Sequence, residues 1–278
     1  MKVNIQINLC SLLLVLGSLF SACQVIPENE QIVEVFTPAD TSQVKRASLL
    51  IEYSGWRCMN CPNAAEVAHD LQAQYGEELV VVVMHPATNP NTRYGNNQAV
   101  NYTCPEADSV YLSMGGTSQT PFPTGNINFQ QQDNSYFTSV DTWATQVSRY
   151  YTSSPIIMTQ TLTYADNTVD IELYLCNMGS QTLNTTLQIW LTEDGIVGKQ
   201  IMPNGKTNNE YTHNHLLRAS VLPSVWGETH ALHSITPQTW HFHYTLPDKV
   251  VPANCHIVSV LSVAGIAIQV KDTKITTE

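Results

Sequence analysis

The chain has 278 residues, enough for one large domain or two ordinary ones, each with its own core. Charge is sparse and acidic in balance: 12 Lys and Arg against 23 Asp and Glu leave −11. That excludes nucleic-acid binding, which needs basic patches, and disfavours plain electrostatic docking on anionic lipid.

Residues 9–20 form an apolar stretch interrupted only by Cys10, Ser11, Gly17 and Ser18. It is too short to span a bilayer and matches the apolar region of a secretory signal. Small residues Ser21 and Ala22 then precede Cys23, an arrangement that resembles a bacterial lipobox with Phe20 where Leu is usual. Residues 1–22 are therefore expected to be a lipoprotein signal peptide. Cys23 is expected to carry the lipid that is the only membrane anchor. The alternative is a plain signal peptide cleaved near Ala22. Residues 23–45 carry Pro27 and Pro38 without clear periodicity and read as a tether, with one short edge strand over 32–36.

Residues 47–53 read as a buried strand because Leu49, Leu50 and Ile51 are consecutive. Cys58 and Cys61 follow, then Pro62 at a first-turn position. Ala64, Val67, Ala68, Leu71 and Tyr75 recur at helical spacing up to Gly76. Residues 79–84, with four consecutive valines, read as a second buried strand. Strand, helix and strand make a βαβ unit with parallel strands. Both thiols thus sit at a helix N-terminus, where unpaired N–H groups favour the thiolate.

A long loop from His85 precedes a short helix over 105–114 that Gly115 and Gly116 stop. A strand through Ile127 and Phe129 and a closing helix over 140–151 follow, and Ser153-Ser154-Pro155 marks a domain boundary. Beyond it the period becomes two. Val169, Ile171, Leu173 and Leu175 alternate with polar residues, as do Thr185, Leu187, Ile189 and Leu191, and Trp240, Phe242, Tyr244 and Leu246. Further strands are expected at 156–164, 213–219, 255–263 and 266–270. About seven half-buried strands suggest an immunoglobulin-like β-sandwich over 155–278.

Three features of residues 46–153 resemble a thioredoxin fold with an insert at about 85–118. These are the Cys58-Met59-Asn60-Cys61 junction, Phe122-Pro123-Thr124 before a strand, and Glu52 six residues before Cys58. Thioredoxins place a buried acid, and a cis-proline facing the dithiol, at the corresponding points. The chain departs from them in Arg57 after Trp56, in Met59-Asn60 between the cysteines, and in the length of the insert. The whole chain is similar to the Bacteroides-type outer-membrane lipoproteins related to the 28-kilodalton outer membrane protein. Gly55, Cys58, Cys61 and Pro62 match that family's Gly-x-x-Cys-x-x-Cys-Pro stretch, and residues 211–219 its His-Asn-His segment. The resemblance implies an α/β thioredoxin-like domain followed by an all-β immunoglobulin-like sandwich, located at the outer membrane. Its partner is an unknown protein client or envelope component.

The expected chemistry is thiol–disulfide exchange. Cys58 attacks, Cys61 resolves, Glu52 moves the proton, and Pro123 leaves the preceding backbone free for a substrate strand. Pro121 rivals Pro123 for that role. The competing reading is a static Cys58–Cys61 bond in a non-catalytic binding lipoprotein, since oxidation is the default in an exported domain. A zinc site would need more ligands and no second Cys-x-x-Cys exists, so no metal and no cofactor are expected. Cys104 is a third redox thiol, a partner for Cys176 or Cys255, or a simple cap. Alternation puts Cys176 on the polar face of its strand. His213/His215 and His241/His243 each read as sharing a strand face, an arrangement that can chelate a metal but reads most simply as solvent-facing.

Overall fold

The computed structural model describes residues 44–94 and 100–277. The expected signal peptide, the expected lipid attachment at Cys23 and the strand expected at 32–36 lie outside these residues.

Strand β1 (Ser48–Tyr53) is buried along its whole length, as its run of branched residues demands. Helix α1 (Cys61–Tyr75) follows, and β2 (Leu79–Met84) returns parallel to β1, with Ser48 opposite Leu79 and Tyr53 opposite Met84. After α2 (Pro105–Ser113), β3 (Thr124–Ile127) pairs antiparallel with the other edge of β1, and α3 (Trp143–Tyr150) closes this half. Successive strand residues face opposite ways, so β1 and β2 feed two cores. Leu50 and Val81 pack with Ala64, Ala68 and Leu71 of α1 and with Trp143 and Val147 of α3. Leu49, Ile51, Tyr53, Val80 and Val82 pack on the opposite face with Ala107, Val110 and Tyr111 of α2.

The second half is mostly strand. The hairpin of β4 (Ile156–Ala165) and β5 (Thr168–Asn177) joins β11 (Gln238–Thr245) in a three-stranded sheet. Facing it are β6 (Leu183–Glu193), β12 (Cys255–Val263) and β13 (Ile266–Lys274), with β10 (Glu228–Leu232) along part of β6. Val169, Ile171, Leu173 and Leu175 meet Leu187, Ile189, Leu191, Ile257 and Leu261 in the core between them. The expected two-residue periods of β5 and β6 are those that point inward.

The larger sheet runs on into the first half. Strand β9 (Leu216–Ser220) pairs with β6 and meets β2 at Val83 and Leu216, giving the order β13-β12-β6-β9-β2-β1-β3. The strands expected to be half-buried at 185–192 and 255–263 are therefore covered on both faces. Trp190, Val258 and Val260 share a core with β1 and α2.

Two further differences concern the chain between β6 and β11. The single strand expected at 213–219 is two. Strand β8 (Thr207–His213) ends at Asn214-His215, where His215 takes φ 57°, and β9 starts afresh. Strand β8 pairs with β7 (Ile196–Ile201) as a separate hairpin. Neither carries an apolar alternation that would announce it.

Trp190 is fully buried, and its indole N–H donates to the Val225 carbonyl at 3.1 Å. Trp190→Ala should cost about 3–5 kcal/mol. A urea titration followed by far-UV circular dichroism should show one transition at lower midpoint, because that core joins both halves.

Candidate functional site

Cys58 and Cys61 form a disulfide where β1 hands over to α1. The turn is tight: the Cys58 amide donates to Gly55 O at 3.0 Å, and the Cys61 amide to Cys58 O at 3.3 Å. Pro62 opens the helix, where its missing N–H costs nothing. Cys58 is 4% exposed and Cys61 2%, while Arg57, Met59 and Asn60 between and beside them face solvent.

Two segments hold this loop in place. On one side the Arg57 amide donates to Asn91 O at 3.0 Å, and the Trp56 indole to Arg93 O at 3.1 Å. A Cβ on Gly55 would lie 2.6 Å from Asn91 O, so that approach requires glycine. On the other side lies the β7–β8 hairpin. The buried Gln200 amide donates to Cys58 O at 2.9 Å and to Gly55 O at 3.4 Å, and the Ile201 amide donates to Trp56 O at 2.8 Å. Neither anchor was visible in the sequence. Gln200 lies on a polar hairpin distant in the chain, and Asn91 in a loop with no periodic pattern.

Glu52 is the penultimate residue of β1 and, like Leu50, faces α1. It is 1% exposed, and no hydrogen bond of normal geometry reaches either carboxylate oxygen. Burial raises its pKa to about 7, against a small opposing pull from the Ser54 hydroxyl. Glu52 and Cys61 line one small chamber of about 30 Å³, together with His85, Gln200, Tyr211 and His213.

His85 follows β2 and is fully buried, with no partner for Nδ1. Burial and neighbouring His213 hold its pKa well below the usual histidine range, so it is neutral. His213, expected to face solvent, is buried instead. Its pKa is lowered to about 4 by burial, and its Nε2 lies 3.2 Å from Lys199 O. Its ring contacts Tyr102 at 4.3 Å and His85 at 5.8 Å between centroids. The turn at 214–215 separates it from His215, which faces Asp194 at 3.4 Å, so the two do not form a strand-face pair. His241 and His243 lie across from Glu172 and Asp170. Among the described residues no three His, Cys, Asp or Glu side chains are grouped to hold a metal ion.

The Phe122–Pro123 peptide bond is cis, and the bond before Pro121 is not. Thr124, the next residue, pairs with Tyr53. Pro123 therefore stands at the end of the sheet from which the cysteine loop departs. Cys104, Cys176 and Cys255 are free and buried, so no bridge links them. Burial raises the Cys104 and Cys255 thiols to about 12, which removes Cys104 as a ready third redox thiol. Cys176 is not on a solvent face, because residues 175–177 at the end of β5 are all buried.

These features define a mixed α/β chain with a Cys-x-x-Cys disulfide at a helix start and a large β-rich second half. The model of the family Outer membrane protein Omp28 matches residues 116–278. The chain belongs to that family and is an outer-membrane protein. The match starts at Gly116, so the cysteine loop and Glu52 lie outside it. HBP35 of Porphyromonas gingivalis is a structural neighbour at TM-score 0.64 and 13% identity, over 84% of this chain and 76% of that one. A domain of the outer membrane lipoprotein Omp28 from Porphyromonas gingivalis aligns at 18% identity over 44% of this chain and 89% of its own. Its TM-score is only 0.31. No curated protein sequence matches the chain.

Glu52 fixes a pH dependence. The folded state keeps a proton on this carboxyl up to about pH 7, whereas the unfolded chain releases it near 4.5. Stability therefore falls as pH rises through that window and levels off above it. Chemical denaturation at stepped pH should show this fall, of a few kcal/mol. Glu52→Gln should remove that component and be the more stable form above pH 7.

Proposed function

We propose that this outer-membrane protein exchanges disulfides with a protein client through Cys58 and Cys61. In this reading residues 46–153 are a thioredoxin-like module and residues 155–278 an immunoglobulin-like sandwich. A lipid on Cys23 tethers both to the membrane. The observation that carries the reading is Glu52. A carboxyl almost wholly removed from water, with no hydrogen bond of normal geometry, is expensive to bury, and a purely structural disulfide gives no reason to keep one beside it.

Starting from the dithiol, Cys58 releases its proton to solvent and its thiolate attacks one sulfur of a client disulfide. A Cys58–client bond forms, and the other client sulfur leaves as a thiolate that takes up a proton. Glu52 accepts the Cys61 proton. The Cys61 thiolate then attacks Cys58 Sγ, forms the Cys58–Cys61 bond and expels the second client sulfur, which is protonated in turn. Two electrons and two protons pass to the client, and the reverse sequence oxidises a client dithiol. The helix N-terminus favours the thiolate, and Pro123 sits where a client strand would run beside the loop.

A second reading has a specific observation in its favour. The cysteines are 4% and 2% exposed, and Gln200 covers the loop from the far half of the chain. In that reading the bond is structural, and the sandwich and the insert bind a partner. Alkylation of the dithiol across a glutathione redox series separates the two. Exchange predicts a potential between about −120 and −270 mV. A value below about −300 mV, or no equilibration without unfolding, identifies a structural bond.

A further inference from the structure

Between α1 and β8 lies an open cleft of about 390 Å³. Ala65 and Ala68 of α1, Val81 and Val83 of β2, and Met202 give it aliphatic walls. Glu66 and Asp70, one helical turn apart on α1, line it too. No lysine or arginine lines it, and neither carboxylate is ion-paired among the described residues.

A row of surface acids alone would be an ordinary solvated face. Glu52 makes the difference. It lines this cleft as well as the chamber beside Cys61, it is almost completely buried, and no hydrogen bond of normal geometry reaches its oxygens, with only the Ser54 hydroxyl acting on them. Tyr211 lines both the cleft and the chamber, so the two spaces adjoin at this side chain. Orphaned buried acceptors are rare and call for a donor. A small cleft with an apolar body and a few convergent polar groups is the usual form of a ligand site.

We propose that the cleft binds an alkylammonium ion, its cationic head drawn to Glu66 and Asp70 and donating to an oxygen of Glu52, and its aliphatic stem against Ala65, Ala68, Val83 and Met202. The head brings both the positive charge and the N–H donors that the carboxylates lack. The stem explains why the walls between those carboxylates are apolar. The same chemistry is offered by a free diamine and by a lysine side chain of a partner protein. The proposal stands apart from disulfide exchange, because Glu66 and Asp70 have no part in the Cys58–Cys61 reaction.

The test uses the full chain with labelled Met and Val methyl groups, observed by NMR at low salt. Pentylammonium should shift the Met202 and Val83 methyls saturably, with a dissociation constant below about 10 mM. Pentan-1-ol, of the same shape without charge, should bind about tenfold more weakly or worse. The double variant Glu66→Gln/Asp70→Asn, both on the exposed surface of α1, should keep its fold by circular dichroism and lose about fivefold or more of the ammonium affinity. Tighter binding of 1,5-diaminopentane would assign the free amine, and tighter binding of Nα-acetyl-lysine amide the partner's lysine. No saturable shift, equal binding of the alcohol, or undiminished affinity in the double variant would each overturn the proposal. The dithiol potential of that variant should equal that of the parent, so either idea can fail without the other.

Discussion

One glutamine side chain, from a hairpin far along the chain, fixes the loop that carries both cysteines. Gln200 donates to the carbonyls of Gly55 and Cys58, and its neighbour Ile201 donates to Trp56. Both carbonyls also accept from the loop's own amides, so Gln200 adds a second donor to each, a contact worth about 0.5–1.5 kcal/mol per bond. The contact also explains why the hairpin is polar and yet ordered. It uses its hydrogen-bonding groups on the cysteine loop rather than an apolar face on the core. Once it is in place, the two halves share a sheet through Val83 and Leu216 and share the core around Trp190.

The same arrangement creates the buried polar chamber. Sheet alternation turns Glu52 toward α1, His85 leaves the end of β2, and β8 brings His213 and Tyr211 across from the other half. Burial keeps both imidazoles neutral and holds the proton on Glu52 to near neutrality. In the exchange proposed above, Glu52 is the group that moves the Cys61 proton, and its burial comes at some expense in stability. This is the pattern expected where function, rather than stability, sets the residue.

Much of the first half was legible because its signals are local. The branched runs of β1 and β2, the helical spacing after Pro62 and the position of Cys58 and Cys61 each follow from neighbouring residues. Glu52 stood out only through its spacing to Cys58; which way its side chain faces follows from the sheet. The rest depends on contacts between distant segments. Nothing near Gln200 announces that its amide will reach Cys58 O, 142 residues back in the chain. Period-two reasoning put Cys176 at the surface and joined His213 to His215 on one strand face. It assumed uncovered strand ends and an unbroken strand, and neither holds.

The central claim is that a nearly buried disulfide still exchanges in the folded protein. The most direct measurement is the rate at which dithiothreitol reduces Cys58–Cys61 as urea is raised, well below the unfolding transition. Exchange through the native state predicts a rate that is first order in dithiothreitol and nearly independent of urea. A rate that climbs in step with the unfolded fraction would contradict it and leave the bond a structural one.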